Sequence, residues 1–469
     1  MTQVCFVQEA YYEYAGVMTM AALVKQHGHQ CRVFIGPEER NLAAAVAAAS
    51  PDLIAFSCTA YDARWALRTA AKLREALSVP VIFGGASPTF YPDIIEHPAV
   101  DIVCRGEGEY ALLDLLDSLE QGRDYSNTAN LWVKEGGAIH RNEVRPLIPD
   151  LNALPVPDWD VYYRYPVMRA NPCRPFIFGR GCPYPCTFCA NPQYMELYRR
   201  KGKFIRRVTV DRAFAEMLEV KRAYGLERAY LRESTFTCNR RWALEFLRRY
   251  PREVGVPFVC YARADELDSE VVRALANAGC EEVGFGIESG APHIRNAVLG
   301  KKLDDEDIYR AAALLHVAGI RVSTFNMVGM PGETIDDALQ TVVLNQRIKA
   351  DLVWTAVLQL YPETHVARMV PNQRKPTDDS RPGMGFQAAI VDQPNMRELL
   401  NTEKLLRLAV ALSLPSSVLR ILVRLPLGWL YGWLSDLSFY LMNVRRRTMG
   451  FRRTTMLTLR SPERGKDYA

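Results

Sequence analysis

The chain of 469 residues has no run of eighteen uncharged apolar residues, so no membrane-spanning helix is expected from it. Met1 opens onto no basic, apolar and small-residue signal pattern, which makes the reducing cytoplasm the expected location. Net charge is only +5 and no basic-aromatic block appears in the first 400 residues, so no nucleic-acid partner is expected. No G-x-G-x-x-G follows the first apolar strand, which disfavours a dinucleotide site. A second Cys-x2-Cys pair, which would close a structural zinc site, is also missing. What is present is a globular composition, 49% hydrophobic and 24% charged, in a length sufficient for two or three domains.

The eleven cysteines are an odd number. Cys58, Cys104 and Cys260 stand in apolar runs and read as small buried hydrophobes. Three others are set apart. Cys182, Cys186 and Cys189 share the stretch Gly181-Cys182-Pro183-Tyr184-Pro185-Cys186-Thr187-Phe188-Cys189, a Cys-x3-Cys-x2-Cys spacing around two prolines. Such a loop is poor core, and its thiolates are expected to converge. Three ligands are one short of the four that a closed zinc or iron–sulfur site requires, and a metal site with an open position suits chemistry. Cys173, nine residues upstream and ahead of an expected strand, is the other thiol near enough to consider.

Residues 1–125 alternate short apolar runs with helical patterns. Strands are expected at Val4–Val7, Cys31–Ile35, Leu53–Ser57, Val79–Phe83 and Asp101–Cys104, and the clearest helix at Tyr61–Ser78. This alternation predicts a doubly wound parallel sheet, whose ligands sit beyond the carboxyl ends of the strands. There the chain offers Ser57 and Thr59, then Gly84, Gly85 and Ser87, then Gly106 and Glu107: hydroxyls to hydrogen-bond a ligand and glycines to let backbone approach it. Residues 126–170 hold a possible hairpin, Leu131–Ile139, and Pro-rich text read as a linker or strap.

Alternation resumes over 171–365. Strands are expected near Phe176–Phe178, Arg228–Leu231, Phe258–Tyr261, Glu282–Gly286, Arg321–Val328 and Leu352–Leu358, with helices between them. The cysteine loop follows the first of these, at the end of a barrel strand where chemistry sits.

The cysteine spacing, with the aromatic Phe188 before the third cysteine, resembles the radical S-adenosylmethionine (SAM) superfamily. The resemblance implies an open (β/α)6 barrel in which the three cysteines hold three irons of a 4Fe–4S cluster and SAM chelates the fourth. It also implies one-electron cleavage of SAM to a 5′-deoxyadenosyl radical and an external flavodoxin- or ferredoxin-like electron donor. SAM contacts implied at the strand ends are Glu233, with Ser234 where relatives often have a second acid, Arg263, Glu288, and the apolar Met327 and Val328. The strand-six end, Tyr361-Pro362-Glu363-Thr364, departs from relatives that have glycine in place of Glu363. Glu333 reads instead as a solvated helix start.

The first 125 residues look like the cobalamin-binding domain that precedes many radical SAM domains, through Pro51-Asp52-Leu53-Ile54, Gly84-Gly85-Ala86-Ser87 and Arg105-Gly106-Glu107-Gly108-Glu109. One departure stands out. Where cobalamin proteins that replace the lower ligand carry Asp-x-His-x-x-Gly, this chain has Tyr11 and Glu13 ahead of Gly16. No histidine is expected to ligate cobalt, and His27 and His29 are expected exposed at a helix end.

Residues 366–469 are expected to form a helical C-terminal region, unusually apolar over Glu403–Met442, with a basic tail, Arg445-Arg446-Arg447 and Arg452-Arg453. It is expected to cap the barrel over a small-molecule or lipophilic substrate, with peripheral membrane contact the companion reading. The resemblance as a whole is to class B radical SAM methyltransferases. It implies a cobalamin-dependent methyltransferase acting on an unactivated carbon. The alternatives are cyclisation, rearrangement or oxidation without methyl transfer, or a non-catalytic iron–sulfur or cobalamin-binding protein with a membrane-facing tail.

Overall fold

The computed structural model describes residues 1–59, 62–361, 364–370 and 391–446, and among these the chain forms two compact units. The first comprises residues 1–170 together with a returning strap, 193–208. Its strands are β1 (Gln3–Gln8), β2 (Gln30–Ile35), β3 (Leu53–Ser57), β4 (Val81–Gly84), β5 (Ile102–Cys104), β6 (Leu131–Glu135) and β7 (Ala138–Arg141), in the order β2-β1-β3-β4-β5-β6-β7. The first five are parallel, and β6 and β7 add antiparallel. Their apolar runs bury on both faces, as parallel strands covered by helices do. Phe56 stacks on Phe83 at 4.9 Å, and Ala66, Ala70 and Leu73 of helix α1 (Ala63–Ala76) pack on the same cluster.

The hairpin expected in the linker is therefore a sheet edge. Gly136 and Gly137, both at positive φ (57° and 83°), make the two-residue turn that matches strand twist. The Pro-rich stretch after it is anchored to the same unit. Tyr162 donates to Gln8 Oε1 at 2.7 Å, and Arg164 donates to the carbonyl of Val33 at 2.6 Å. Its aromatic residues supplied the burial that proline density concealed.

The second unit carries β8 (Cys173–Phe176), β9 (Arg228–Leu231), β10 (Phe258–Tyr261), β11 (Cys280–Glu288), β12 (Arg321–Val328) and β13 (Leu352–Val357), all parallel in the order β13-β12-β11-β10-β9-β8. This is the open six-stranded half-barrel. Between the strands run α2 (Val210–Tyr224), α3 (Arg240–Glu253), α4 (Ser269–Asn277), α5 (Asp305–Val317) and α6 (Ile335–Arg347). Thr334 caps α6 through a reciprocal capping box with Asp337.

Three C-terminal helices follow: α7 (Met396–Ala411), α8 (Ser416–Leu422) and α9 (Gly428–Arg446). α7 packs on the outer face that α6 also covers, while Met396 at its start packs on the same apolar cluster as Phe188 and Met327. Its Leu406, Ala409 and Val410 meet Val353, Leu339 and Val342. It thus takes the place of a sixth outer helix, because its apolar face complements the outward residues of β13. Among the described residues no helix is long and apolar enough to cross a membrane. Pro362, Glu363, Arg447, Arg452 and Arg453 lie outside the described residues.

Candidate cluster and cofactor sites

The three cysteines leave β8 through Phe178-Gly179-Arg180-Gly181, and buried Glu233 at the end of β9 fixes that exit by accepting from the Phe178 N–H at 2.6 Å. Cys186 is buried, while Cys182 and Cys189 are partly exposed. Burial pushes the Cys182 thiol up to about 11, with the neighbouring thiols of Cys189, Cys186 and Cys238 adding to the rise. Burial also raises the Cys186 thiol, opposed by the cations of Lys301 and Arg263. Thiols held this way are protonated at neutral pH, so binding a metal centre must expel their protons. Cys173 begins β8, at the far end of the strand from the loop, and is buried there.

Loop position is set from three sides. Thr187 donates its N–H to Leu299 O (3.0 Å) and its hydroxyl to Val298 O (2.7 Å), and its own carbonyl accepts from Val366 N. The turn it grips follows a π-helical segment, Ile294–Val298, an irregularity frequent at functional sites. Gly300 in that turn sits at φ +62°, and a Cβ there would come within 3.1 Å of Thr187 Cγ2. Tyr184 donates to Glu266 at 2.5 Å, while the Arg263 guanidinium lies 3.7 Å from its ring centroid. Glu266 also accepts from Thr235 and Thr237.

Arg263 is fully engaged. It holds Asp265 through two 2.9 Å bonds and donates to Lys301 O at 3.0 Å. Glu288, at φ +66°, accepts from Lys301 Nζ at 2.7 Å, and both side chains are largely buried. Phe188 and Met327 share one apolar cluster with Met330 and Leu299. Val328, one residue on, faces the other way against Ala338, Val357 and Leu399, as strand alternation requires. Asn191 donates both backbone and side-chain N–H to Cys189 Sγ at 3.5 Å.

Glu333 corrects an expectation. It is buried, not solvated. One oxygen accepts from Gly329 and Met330 N–H groups (2.6 and 3.0 Å), and the other has no partner among the described residues. Burial pushes its carboxyl up to about 8. The helix starts two residues later at Ile335, so Glu333 lies in the turn before the cap and folds back under it. His29 is likewise buried, its Nε2 3.0 Å from Asp117.

A single metal ion is a poor fit to the cysteine loop. Among the described residues the one His/Cys/Asp/Glu group whose ligand atoms lie within 4.8 Å of one another is His29, Asp117 and Glu120. The three thiols do not all gather that closely, and a donor set of three thiolates fits three irons of one cluster.

In the first unit, Ser57, Thr59, Gly84, Gly85 and Ser87 gather at the carboxyl ends of β3 and β4, beside the strand-order reversal at β1 and β3. Gly85 is at φ +96°, and a Cβ there would meet Cys58 O at 2.6 Å, so glycine lets this turn close on β3. Ser87 N donates to Cys58 O, and Thr59 bonds Asp62 through its N–H and hydroxyl. Tyr14, from the loop where a cobalt-ligating histidine would lie, donates to Asp62 at 3.0 Å. Hydroxyls and backbone amides at this strand edge are the kind of groups that pair with the amide-bearing rim of cobalamin. Gly106 and Glu107 are enclosed instead. Tyr198 of the strap accepts from Glu107 N at 2.7 Å and fills the space beside Gly106, and Arg206 pairs with the Glu107 carboxylate at 2.8 Å. Lys301, Tyr184, Glu266 and Tyr198 escaped the sequence reading. None carries a spacing signal, because each matters through a partner distant in the chain.

Residues 176–344 match the Radical SAM superfamily, and residues 4–116 match the B12 binding domain. Proteins similar in sequence include an uncharacterized methyltransferase of Pyrococcus horikoshii, 27% identical over 365 residues, covering 75% of this chain and 77% of that protein. An anaerobic magnesium-protoporphyrin IX monomethyl ester cyclase of Rubrivivax gelatinosus is 26% identical over 371 residues, covering 74% and 64%. Similar folds include the radical SAM methyltransferase TsrM of Kitasatospora setae, solved with tryptophan and a SAM analogue (TM-score 0.64, 19% identity, 78% and 75% covered). Another is the cobalamin-dependent enzyme OxsB with aqua-cobalamin and SAM (TM-score 0.61, 17% identity, 79% and 55% covered).

Proposed function

From the premise that this chain is a radical SAM enzyme with a B12-binding domain ahead of its barrel, we propose that it is a cobalamin-dependent methyltransferase acting on an unactivated carbon of a small-molecule or lipid-like substrate. The observation that carries the reading is the three-cysteine loop, held from three sides at the carboxyl edge of the half-barrel in a chain that also has the B12-binding sheet. When bound, the cluster and SAM supply a 5′-deoxyadenosyl radical, and cobalamin supplies a methyl carrier.

The protein's part is placement. Cys182, Cys186 and Cys189 hold the cluster. Phe188 and Met327 offer an apolar wall to the adenine, with Val328 backing the strand from behind. Glu233 and Glu288 offer carboxylates to SAM's polar groups, Lys301 holds Glu288 in place, and Arg263 orients Tyr184 of the cysteine loop. Ser57, Thr59, Gly84, Gly85 and Ser87 receive the corrin side chains, while Gly106 and Glu107 shape the wall behind them. An external flavodoxin- or ferredoxin-like donor supplies the electron.

The enzyme also meets a membrane surface through its C-terminal helices. α9 turns Tyr431 and Ser435 inward and leaves Trp429 and Trp433 74% and 60% exposed, with Leu437 and Leu441 continuing the outward stripe. Between Ala411 and Leu441 the exposed charges are Arg420 and Arg424, and no carboxylate is exposed. An apolar stripe edged by arginines suits an anionic lipid interface.

Anaerobic reconstitution with SAM and a reductant tests the activity. 5′-Deoxyadenosine together with S-adenosylhomocysteine and a methylated substrate is the expected outcome; an intact cluster without deoxyadenosine overturns it and favours a non-catalytic binding protein. Similarity to a cyclase favours a second reading, cyclisation without methyl transfer. Deoxyadenosine without S-adenosylhomocysteine, in the presence of true substrate, would decide for it.

A further inference from the structure

The inner face of the half-barrel carries a row of aromatic rings that nothing above uses. In parallel strands, residues in register share a face. Tyr230 of β9 is level with Val259, two residues before Tyr261 on β10, so Tyr230 and Tyr261 share a side. Tyr261 is in register with Gly284 of β11, Gly286 with Phe325 of β12, and Phe325 with Trp354 of β13. The outward residues between them (Cys260, Phe285, Thr324) are at most 1% exposed. The helices cover that side. Tyr230, Tyr261, Phe325 and Trp354 are half-buried, although β10 and β12 are interior strands. Accessible side chains in the middle of a sheet mean that the face they line is hollow.

The rings touch in sequence. Tyr230 meets Tyr261 edge-on at 5.4 Å, Tyr261 meets Phe325 edge-on at 5.1 Å, and Phe325 stacks near-parallel on Trp354 at 6.4 Å. Gly284 makes the middle contact possible, since a Cβ there would lie 2.8 Å from Tyr261 and 2.9 Å from Phe325. Any larger residue would part the two rings. Trp354 is locked by its indole N–H to Ser323 (3.1 Å), and Phe439 of α9 closes the row edge-on at 5.7 Å. Toward the carboxyl edge, the same face of β12 continues to Met327, which packs with Phe188 of the cysteine loop. On β11 it continues to Gly286, over which Lys301 and Glu288 lie.

We propose that this aromatic row is the substrate floor, and that the substrate is a flat, π-bearing ring system. The inference rests on the reading of the barrel as the place of chemistry, and names the substrate class for it. The physical reason is geometric. Fixed rings presenting faces and edges reward a planar ring by offset or edge-on contacts beyond its apolar area, whereas a saturated ring of equal size gains the area alone. Along this face the carboxylate and ammonium groups, Glu288 and Lys301, lie toward the cluster end, so a flat body would settle on the aromatics with its reacting edge nearer the cysteines.

The test is equilibrium dialysis of the reconstituted full-length enzyme with 2-naphthalenemethanol and its saturated analogue, decahydro-2-naphthalenemethanol. The expected result is about tenfold tighter binding of the flat probe, lost in Phe325→Leu and in Trp354→Leu and kept in Phe325→Tyr. The visible and EPR signals of the cluster serve as the fold control, and if Phe325→Leu fails it, the edge-strand variant Trp354→Leu gives the answer. Equal binding of the two probes overturns the proposal, as does a flat-probe preference untouched by either leucine variant. Because dialysis needs no turnover, flat-probe preference without methyl transfer would sink the methyltransferase reading and leave this one standing. Methyl transfer with no such preference would do the reverse.

Discussion

The carboxyl edges of the two sheets use glycine and buried charge in opposite ways. On the first sheet, the Gly106–Glu107 turn is closed by its own chain, with Tyr198 against the glycine and Arg206 neutralising the acid. On the half-barrel, the Cys182 and Cys189 thiols remain partly accessible, Glu288 is paired to Lys301 at the rim, and Glu333 is buried with one oxygen unpaired among the described residues. A Gly-rich strand end thus marks close backbone approach, and the thing that approaches can be protein. For the three cysteines of the loop, the protein contacts among the described residues are weak donors, such as Asn191 on Cys189 Sγ at 3.5 Å.

The largest effect expected from breaking this contrast is at the cysteines. Replacing any one of Cys182, Cys186 or Cys189 by alanine should abolish deoxyadenosine formation and the EPR signal of the reduced cluster. The first unit should keep its cobalamin absorbance. Loss of both would show the edges to be one cooperative structure.

Next comes the buried pair. Arg206→Met strands the Glu107 carboxylate and should destabilise the protein by about 3 kcal/mol, readable as a lowered denaturation midpoint. The double change with Glu107→Gln should recover most of it, because the uncompensated charge, not the lost contact, carries the penalty.

Glu333 sharpens the comparison through pH. Its folded carboxyl titrates near 8, above the unfolded value, so its contribution to stability is complete below the usual glutamate range. That contribution is lost as pH rises through about 8. Glu216 on α2, also pushed up to about 8 by burial, adds in the same direction. Stability should therefore decline across this window, by about 3 kcal/mol in all once relaxation of the buried sites is allowed for. Glu333→Gln should flatten the decline in a melting series against pH, and an unchanged slope would show that the carboxyl is ionised in the fold.

Smallest is Gly106→Ala. At φ +77°, with the Tyr198 hydroxyl in the way, it should cost about 2 kcal/mol. Adding Tyr198→Phe should relieve part of this by removing the obstructing oxygen, and a strictly additive pair would mean the clash is absorbed elsewhere.

Much of the architecture was legible in the sequence. Each buried strand is a short apolar run bounded by turn residues, so all five early strands and all six barrel strands lie within a few residues of where periodicity puts them. Glu233 and Glu288 were singled out by their place at strand ends on one side of a barrel, and both lie buried at those ends. Glu333 was misread because Gly-Glu-Thr before a helix looks the same whether its acid points to water or folds under the cap. Val328 was grouped with Met327 because their alternation matters only once the lumen side is known. The strap was invisible because Tyr198 and Arg206 lie about a hundred residues from the glycine and acid they cover.

By itself the sequence determined the cysteine loop and the two alternating sheets, since ligand spacing and hydrophobic period are local properties of a chain; the cofactors followed from the resemblance of those motifs to a known family. Only the tertiary structure decided what lies against each strand end: Lys301 on Glu288, Arg263 on Tyr184, Arg206 on Glu107, and four rings in a row across separate strands. Those are contacts between residues 13 to 99 positions apart in the chain. Register and packing set them, and neither is written in any one segment.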